Sequence, residues 1–363
     1  MDLRRRLHAP PWTVAAPVLA VVVLALTWGT KDPSAPVVVV VGALLAAAVL
    51  AAVHHAEVVA HRVGEPFGSL VLAVAVTVIE VALIVTLMVA GGDDTSTLAR
   101  DTVFAAVMIT CNGIVGLSLL TATLRHGTAS FNAEGTATAL ATVATLTTLA
   151  LVFPTFTESR AGGEFSSSQL AFAAVAALAL YALFVVVQTV RHRDYFLPVG
   201  AVDADDHADP PTTSEALTSL GLLLVALVAV VGLAKTISPA IEDAVAAAGA
   251  PQSAVGVVIA LLVLLPETLA AVRNARHDRM QTSFNLALGS AMASIGLTIP
   301  VIAIASIWLD GPLVLGLCAT QMVLFAITVV VTALTVLPGR ATLQEGGVHL
   351  VLFGSFLFLA FNP

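Results

Sequence analysis

The sequence predicts an all-α protein that crosses a membrane many times. Of its 363 residues, 58% are hydrophobic and only 10% are charged, whereas a soluble domain carries about 25% charged residues. The apolar residues form runs of about 20, the length that one helix needs to cross a bilayer. This pattern excludes a soluble globular protein. It makes the lipid bilayer the expected surroundings and gives no reason to expect nucleic acid as a partner.

Eleven apolar runs can be placed along the chain. They lie near residues 12–30, 35–60, 66–91, 100–124, 132–154, 167–190, 214–236, 251–273, 281–308, 312–337 and 343–361. Helix-breaking segments separate many of them, namely Asp32-Pro33, Gly91-Gly92-Asp93-Asp94, Gly162-Gly163, Asp209-Pro210-Pro211, Asp310-Gly311-Pro312 and Pro338-Gly339. No small-residue cleavage site clearly ends the first run, so we expect a retained first helix rather than a signal peptide.

The basic residues predict the orientation of these helices. If the amino terminus is cytoplasmic and eleven helices alternate, eleven of the 15 Lys and Arg residues lie on the cytoplasmic side. Cytoplasmic loops of membrane proteins carry this excess of positive charge. The sequence therefore predicts a cytoplasmic amino terminus and an external carboxyl terminus.

The longest polar break divides the chain into two halves of five helices each. It runs from about Arg191 to Ser214 and is rich in aspartate. We predict an extra first helix (residues 1–34), a first repeat (35–195), an acidic cytoplasmic linker (196–212) and a second repeat (213–363). Because five is odd, the two repeats would be inverted in the membrane. Transporters with inverted repeats bind substrate near the midplane, where the halves meet.

Glu80 and Glu267 are the candidate site residues that stand out most. Glu80 is the only charged residue between Glu65 and Asp93, and Glu267 is a lone carboxylate in the equivalent helix of the second half, directly after Pro266. A charge at the bilayer centre costs about 2.5–3.5 kcal/mol on insertion scales, which favours a functional role. On inverted, equivalent helices the two carboxylates can meet at one point. Thr77 is a secondary candidate near Glu80.

The helix after each glutamate carries further polar and small residues. In the first half, Asn112 and Gly113 stand together within an apolar run. In the second half, Ser290 and Ser294 share one helical face, beside Gly289. Asn112 and Ser290 are candidate ligands, whereas Gly113, Gly289 and Ser294 are assigned to helix packing or a secondary site. The serines could instead bond to their own helix backbone.

Two membrane carboxylates with nearby oxygen groups can hold a hard cation such as calcium. They can also hold protons, because burial in a low dielectric favours the neutral carboxyl group. A cation that enters must then displace protons, which is the basis of antiport. No further cofactor is expected, since Cys111 and Cys318 lie in apolar runs and suggest neither disulfide nor zinc chemistry.

Several segments together resemble the ChaA-type bacterial calcium/proton antiporters of the cation/calcium exchanger superfamily. These segments are His54-His55, Gly64 to Gly68, Val78 to Leu83, Asn112 to Gly116, Arg191 to Phe196, Pro266 to Ala271 and Asn285 to Ser290. The resemblance implies inverted five-helix repeats and a location in the bacterial inner membrane. It also implies that Glu80 and Glu267 bind cation and protons, with Asn112 and Ser290 as polar partners. The chain lacks the asparagine of the Gly-Asn-Ala-x-Glu motif found in eukaryotic exchangers, so sodium and potassium are alternative substrates to calcium.

A second cluster lies at the predicted cytoplasmic end of the second helix. His54, Glu57 and His61 fall on one helical face, a spacing that suits a solvated helix end, a cation-entry or pH-sensing cluster, or a transition-metal site.

Two other classes of function remain as rivals to antiport. A passive cation channel would pass ions with no opposed proton movement. A membrane-embedded enzyme would need a histidine-based site within a span, and the sequence shows no histidine at the predicted midplanes.

Overall fold

The computed structural model describes residues 10–30, 33–64, 67–91, 95–199, 211–247, 249–308 and 311–362. In chain order its helices are α1 (Pro11–Thr27), α2 (Ala35–Val63), α3 (Phe67–Gly91), α4 (Leu98–His126), α5 (Ala133–Phe156), α6 (Ser167–Arg191), α7 (Thr213–Ala247), α8 (Ser253–Val263), α9 (Leu265–Arg276), α10 (Met280–Ala305), α11 (Ala319–Val336) and α12 (Leu343–Phe361). Two short antiparallel strands, β1 (Ala129–Ser130) and β2 (Arg340–Ala341), pair the α4–α5 connection with the α11–α12 connection. The predicted acidic linker lies largely outside the described residues.

The all-α, multi-pass architecture is confirmed. Within the described ranges, eight helices are long and apolar enough to cross a membrane, and the bent pair α8–α9 makes a ninth. Helix α1 and the stretch Val74–Val89 of α3 are apolar but shorter. The total of eleven spans and their arrangement as inverted repeats stay predictions.

The eighth predicted span is divided rather than continuous. Helix α8 ends at Val263, α9 begins at Leu265, and the two axes differ by 49°. Pro266 explains the break, since proline has no backbone N–H to donate to the carbonyl four residues earlier and its ring clashes there. The sequence interpretation placed residues 251–273 in one continuous helix.

Two compact units make up the chain, and each contains parts of both predicted repeats. The first unit comprises residues 1–91 and 203–249, and the second comprises residues 92–202 and 250–363. In the first unit α2 packs against α1, α3 and α7. The buried His55 fixes α1, because its Nε2 donates to the Thr13 carbonyl oxygen at 2.9 Å. Gly232 of α7 lies against Leu24, where a Cβ would come within 2.4 Å of that side chain.

Helices α4 and α10 form the core of the second unit. α10 packs against α4, α5, α6 and α9, and α4 also packs against α8 and α12. Phe104, Met108 and Phe284 are among its largest fully buried side chains. Gly256 of α8 lets that helix approach α4 closely, since a Cβ there would lie 2.9 Å from the backbone nitrogen of Thr102.

Candidate ion-binding site

Glu80 lies on the buried face of α3 in the first unit. Only 4% of the residue is exposed, and Thr77, one turn earlier on the same face, is equally buried. Val74 and Val78 occupy the opposite, exposed face. The period of the helix therefore turns the one charged residue of α3 away from the surface that the lipid would cover.

Glu267 lies in the second unit, in the first turn of α9, and is 9% exposed. The helix break places it at the amino-terminal, positive end of the α9 dipole. The break itself is held by local bonds: the backbone N–H and the hydroxyl of Thr268 both donate to the Leu264 carbonyl, at 3.0 and 2.7 Å. The sequence predicts that Glu80 and Glu267 form one site, and this pairing stays a prediction.

Asn112 occupies a π-helical segment of α4, Ile109–Ile114, and is completely buried. Its Nδ2 donates to Thr328 Oγ1 on α11 at 2.9 Å, and its Oδ1 accepts from His349 Nδ1 on α12 at 3.1 Å. Because an amide oxygen only accepts, Nδ1 of His349 carries the hydrogen. In neutral imidazole Nε2 then accepts from Thr335 Oγ1, 3.1 Å away. We call these four residues the Asn112 clamp, since they join three helices through one amide.

The predicted polar face of α10 is buried to different degrees along its length. Ser290 is half-buried, whereas Ser294 and Thr298 are buried. The hydroxyl of Thr298 has no hydrogen-bond partner among the described residues. Ser294, which was assigned to helix packing or a secondary site, is therefore buried in the core. Ser290, the candidate ligand, is only half-buried.

The glycines near these positions differ in how closely other atoms approach them. A Cβ on Gly113 would lie 3.4 Å from the ring of Phe353 on α12, and one on Gly296 would lie 2.6 Å from Tyr181 on α6. A Cβ on Gly289 would meet no atom within 4 Å. Gly113 and Gly296 therefore serve close packing, while Gly289 leaves open space on α10.

The residues of the predicted cytoplasmic cluster differ in burial. Glu57 and His61 are exposed, and His54 is half-buried. No group of three or more histidine, cysteine, aspartate or glutamate side chains in the described part of the chain could hold a metal ion. The neighbouring His55 is the fully buried histidine of this helix, and it serves to dock α1.

Sequence reasoning missed two buried ionisable residues. His349 lies within the last apolar run as the seventh residue of α12 and is completely buried, yet it was not singled out from the sequence. Asp101 lies at the start of α4 and was likewise not singled out, yet it is 3% exposed. The signal that identified the glutamates, one ionisable residue within an apolar run, applies equally to His349.

Comparisons with known proteins support the all-helical, multi-pass membrane architecture. The family model described as sodium/calcium exchanger protein matches residues 34–190 and 218–362. A putative ionic transporter, y4hA, of Sinorhizobium fredii (strain NBRC 101917 / NGR234) is 44% identical over 99% of this chain and 98% of its own length. The sodium-potassium/proton antiporter ChaA of Escherichia coli (strain K12) is 34% identical over 95% of this chain and 94% of its own. The crystal structure of the H+/Ca2+ exchanger CAX has the same fold, with a TM-score of 0.69 at 16% identity over 95% of this chain and 86% of that one.

Proposed function

The chain belongs to the sodium/calcium exchanger protein family, and from this premise we propose that it is a proton-coupled cation antiporter of the bacterial inner membrane. Glu80 and Glu267 would bind cation or protons in competition. One observation carries the proposal: each glutamate is the only acidic residue of its apolar span, and each is buried. A buried carboxylate needs a cation or a proton to balance its charge.

The exchange cycle follows from this competition. When no cation is bound, the low dielectric around the glutamates favours their neutral, protonated forms. A cation that enters displaces the protons, and protons that enter from the other side displace the cation. With alternating access to the two sides of the membrane, inward proton flow drives cation export. The same glutamates therefore suffice for coupling, without a separate proton path.

Calcium is the first substrate candidate, because two carboxylates neutralise one divalent ion and calcium accepts irregular sets of oxygen ligands. Sodium or potassium is the second candidate. Two observations favour it: the relative from E. coli is named a sodium-potassium/proton antiporter, and this chain has no asparagine three residues before either glutamate. A site with fewer oxygen ligands is less selective for calcium over monovalent ions.

The test is ion-by-ion flux in inverted membrane vesicles with a pH-sensitive dye. We expect that Glu80→Gln and Glu267→Gln each abolish cation-dependent proton release, while Glu158→Gln, which changes an exposed loop glutamate, leaves it intact. Normal insertion of each variant is checked by its amount in the membrane. Retained exchange in both site variants would refute the two-glutamate mechanism. Cation flux with no opposed proton movement would identify a channel instead.

A further inference from the structure

A cavity lies within the second unit. It has a volume of about 190 Å³ and is lined where α4, α8 and α11 begin and where α12 ends. The ends of membrane-spanning helices mark the boundary between the hydrocarbon and the lipid headgroups. The cavity therefore opens at the level of the headgroups and not at the bilayer midplane.

One end of this cavity carries a buried ion pair. Asp101 Oδ1 accepts from Arg100 at 2.8 Å and from Gln321 Nε2 at 3.2 Å, and the side chain of Asp101 is 2% exposed. Oδ2 of Asp101 is buried and has no hydrogen-bond partner among the described residues. Arg100, 14% exposed, also donates to the Gly316 carbonyl oxygen at 3.2 Å. Its guanidinium group has five N–H donors, and these contacts leave some of them unused.

The remaining walls of the cavity are apolar and partly aromatic. They include Phe104 of α4, Leu324 of α11, and Phe356 with Leu359 of α12. Such walls accept a hydrocarbon chain, whereas the Asp101–Arg100 end accepts charge. The ligand that fits both parts is amphipathic.

The two charged side chains of the cavity restrict the class of ligand that it can bind. A lone cation is disfavoured by Arg100, and a lone anion is disfavoured by Asp101. A zwitterion satisfies both, provided that its cationic group can donate a hydrogen bond to the unpartnered Oδ2. Its anionic group would face Arg100 and the beginnings of three helices, where backbone N–H groups and the helix dipoles favour negative charge.

We propose that this cavity binds the headgroup of an aminophospholipid. The primary ammonium group donates to Asp101 Oδ2, the phosphate faces Arg100, and an acyl chain lies along Phe104 and Phe356. The proposal does not depend on the exchange mechanism, because it involves neither Glu80 nor Glu267. Phosphatidylethanolamine is the matching lipid, and phosphatidylcholine is the matched control, since its quaternary ammonium carries no N–H.

Cys318 provides a native reporter of occupancy. The chain has two cysteines; Cys318 is exposed and lines this cavity, whereas Cys111 is buried. We expect a maleimide to alkylate Cys318 about tenfold more slowly in phosphatidylethanolamine vesicles than in phosphatidylcholine vesicles. A tenfold change corresponds to about 1.4 kcal/mol, close to the low end for a hydrogen bond to a charged group.

Further measurements of Cys318 alkylation decide the proposal. Protection of Cys318 from alkylation should decrease stepwise through the mono- and dimethylated lipids, as N–H donors are removed. This series needs no mutation. Asp101→Asn should label at one rate in all lipids, with an unreactive Cys111 as the check of folding; if this variant does not fold, the methylation series decides alone. Equal labelling of the wild-type protein in the two lipids would overturn the proposal. Equal protection of Cys318 by soluble phosphoethanolamine would also overturn it, because the ligand would then be a free molecule and not a lipid. Protection of Cys318 by calcium or potassium salts would overturn it too, because the ligand would then be a cation.

Discussion

Thr328→Val should destabilise the second unit, because it removes one partner of the Asn112 clamp at nearly constant shape. Thr328 and Asn112 are both buried, and Asn112 Nδ2 would lose its 2.9 Å acceptor. An unsatisfied buried donor costs about 1–3 kcal/mol in soluble proteins. Hydrogen bonds between membrane helices average only about 0.6 kcal/mol, with a maximum near 1.7. Within the described part of the chain, the other acceptor in contact with Nδ2 is the weak Met108 sulfur, so we expect a loss of about 1–2 kcal/mol in the free energy of unfolding.

The assay is thermal unfolding of the purified protein in detergent, and Thr332→Val is the matched control. Thr332 is on the same helix and is equally buried, but its hydroxyl donates only to the Thr328 carbonyl of its own helix. We expect Thr328→Val to lower Tm by about 1–3 °C and Thr332→Val to leave it nearly unchanged. If both variants shift Tm equally, or if neither does, the clamp does not hold α4 to α11 in the way the geometry indicates.

Three other perturbations have definite expected outcomes. Gly256→Ala should lower thermal stability by about 1–3 kcal/mol, since its Cβ would lie 2.9 Å from the backbone of α4, whereas Gly221→Ala meets no atom within 4 Å and should not. Pro266→Ala restores a backbone N–H at the break between α8 and α9, so it should straighten the pair and reduce the exchange rate in vesicles at unchanged protein amount. The nearby negative charge and hydrogen bond of Glu134 raise the pKa of Tyr195. Glu134→Gln should therefore move this pKa towards its usual value in an absorbance titration, and a pKa that does not move would contradict the contact.

The positions of the long apolar helices can largely be predicted from composition, but the packing of the helices cannot. The run predicted at 100–124 is helix Leu98–His126, because an apolar run of that length is long enough to cross a bilayer. Helix faces in a bilayer are different: lipid and core are both apolar, so periodicity does not reveal which side meets protein. Helix α7 lies in the same compact unit as α1, α2 and α3, and no pattern in the sequence predicts this.

The features of the candidate site were likewise predictable only in part. The burial of Glu80 and Glu267 could be predicted, because an ionisable group within an apolar run is costly in any fold. The partners of Asn112 could not, since Thr328 and His349 lie 216 and 237 residues away along the chain. Asp101 was missed for a further reason: a charge at the end of an apolar run looks like a solvated loop residue until the neighbouring helices are seen to bury it.

Asn112 shows that structural clamp and predicted ligand are compatible roles for one side chain. Its amide oxygen has two lone pairs, and His349 occupies one of them. The other could point a dipole at a cation without breaking the clamp, but it could not add negative charge. We therefore propose that the charge balance of transport rests on the two glutamates, and that Asn112 contributes position and an electrostatic field. Thr328→Val leaves the amide oxygen and its bond to His349 in place. A loss of transport in this variant would therefore report the altered placement of Asn112, and its Tm shift would report the clamp itself.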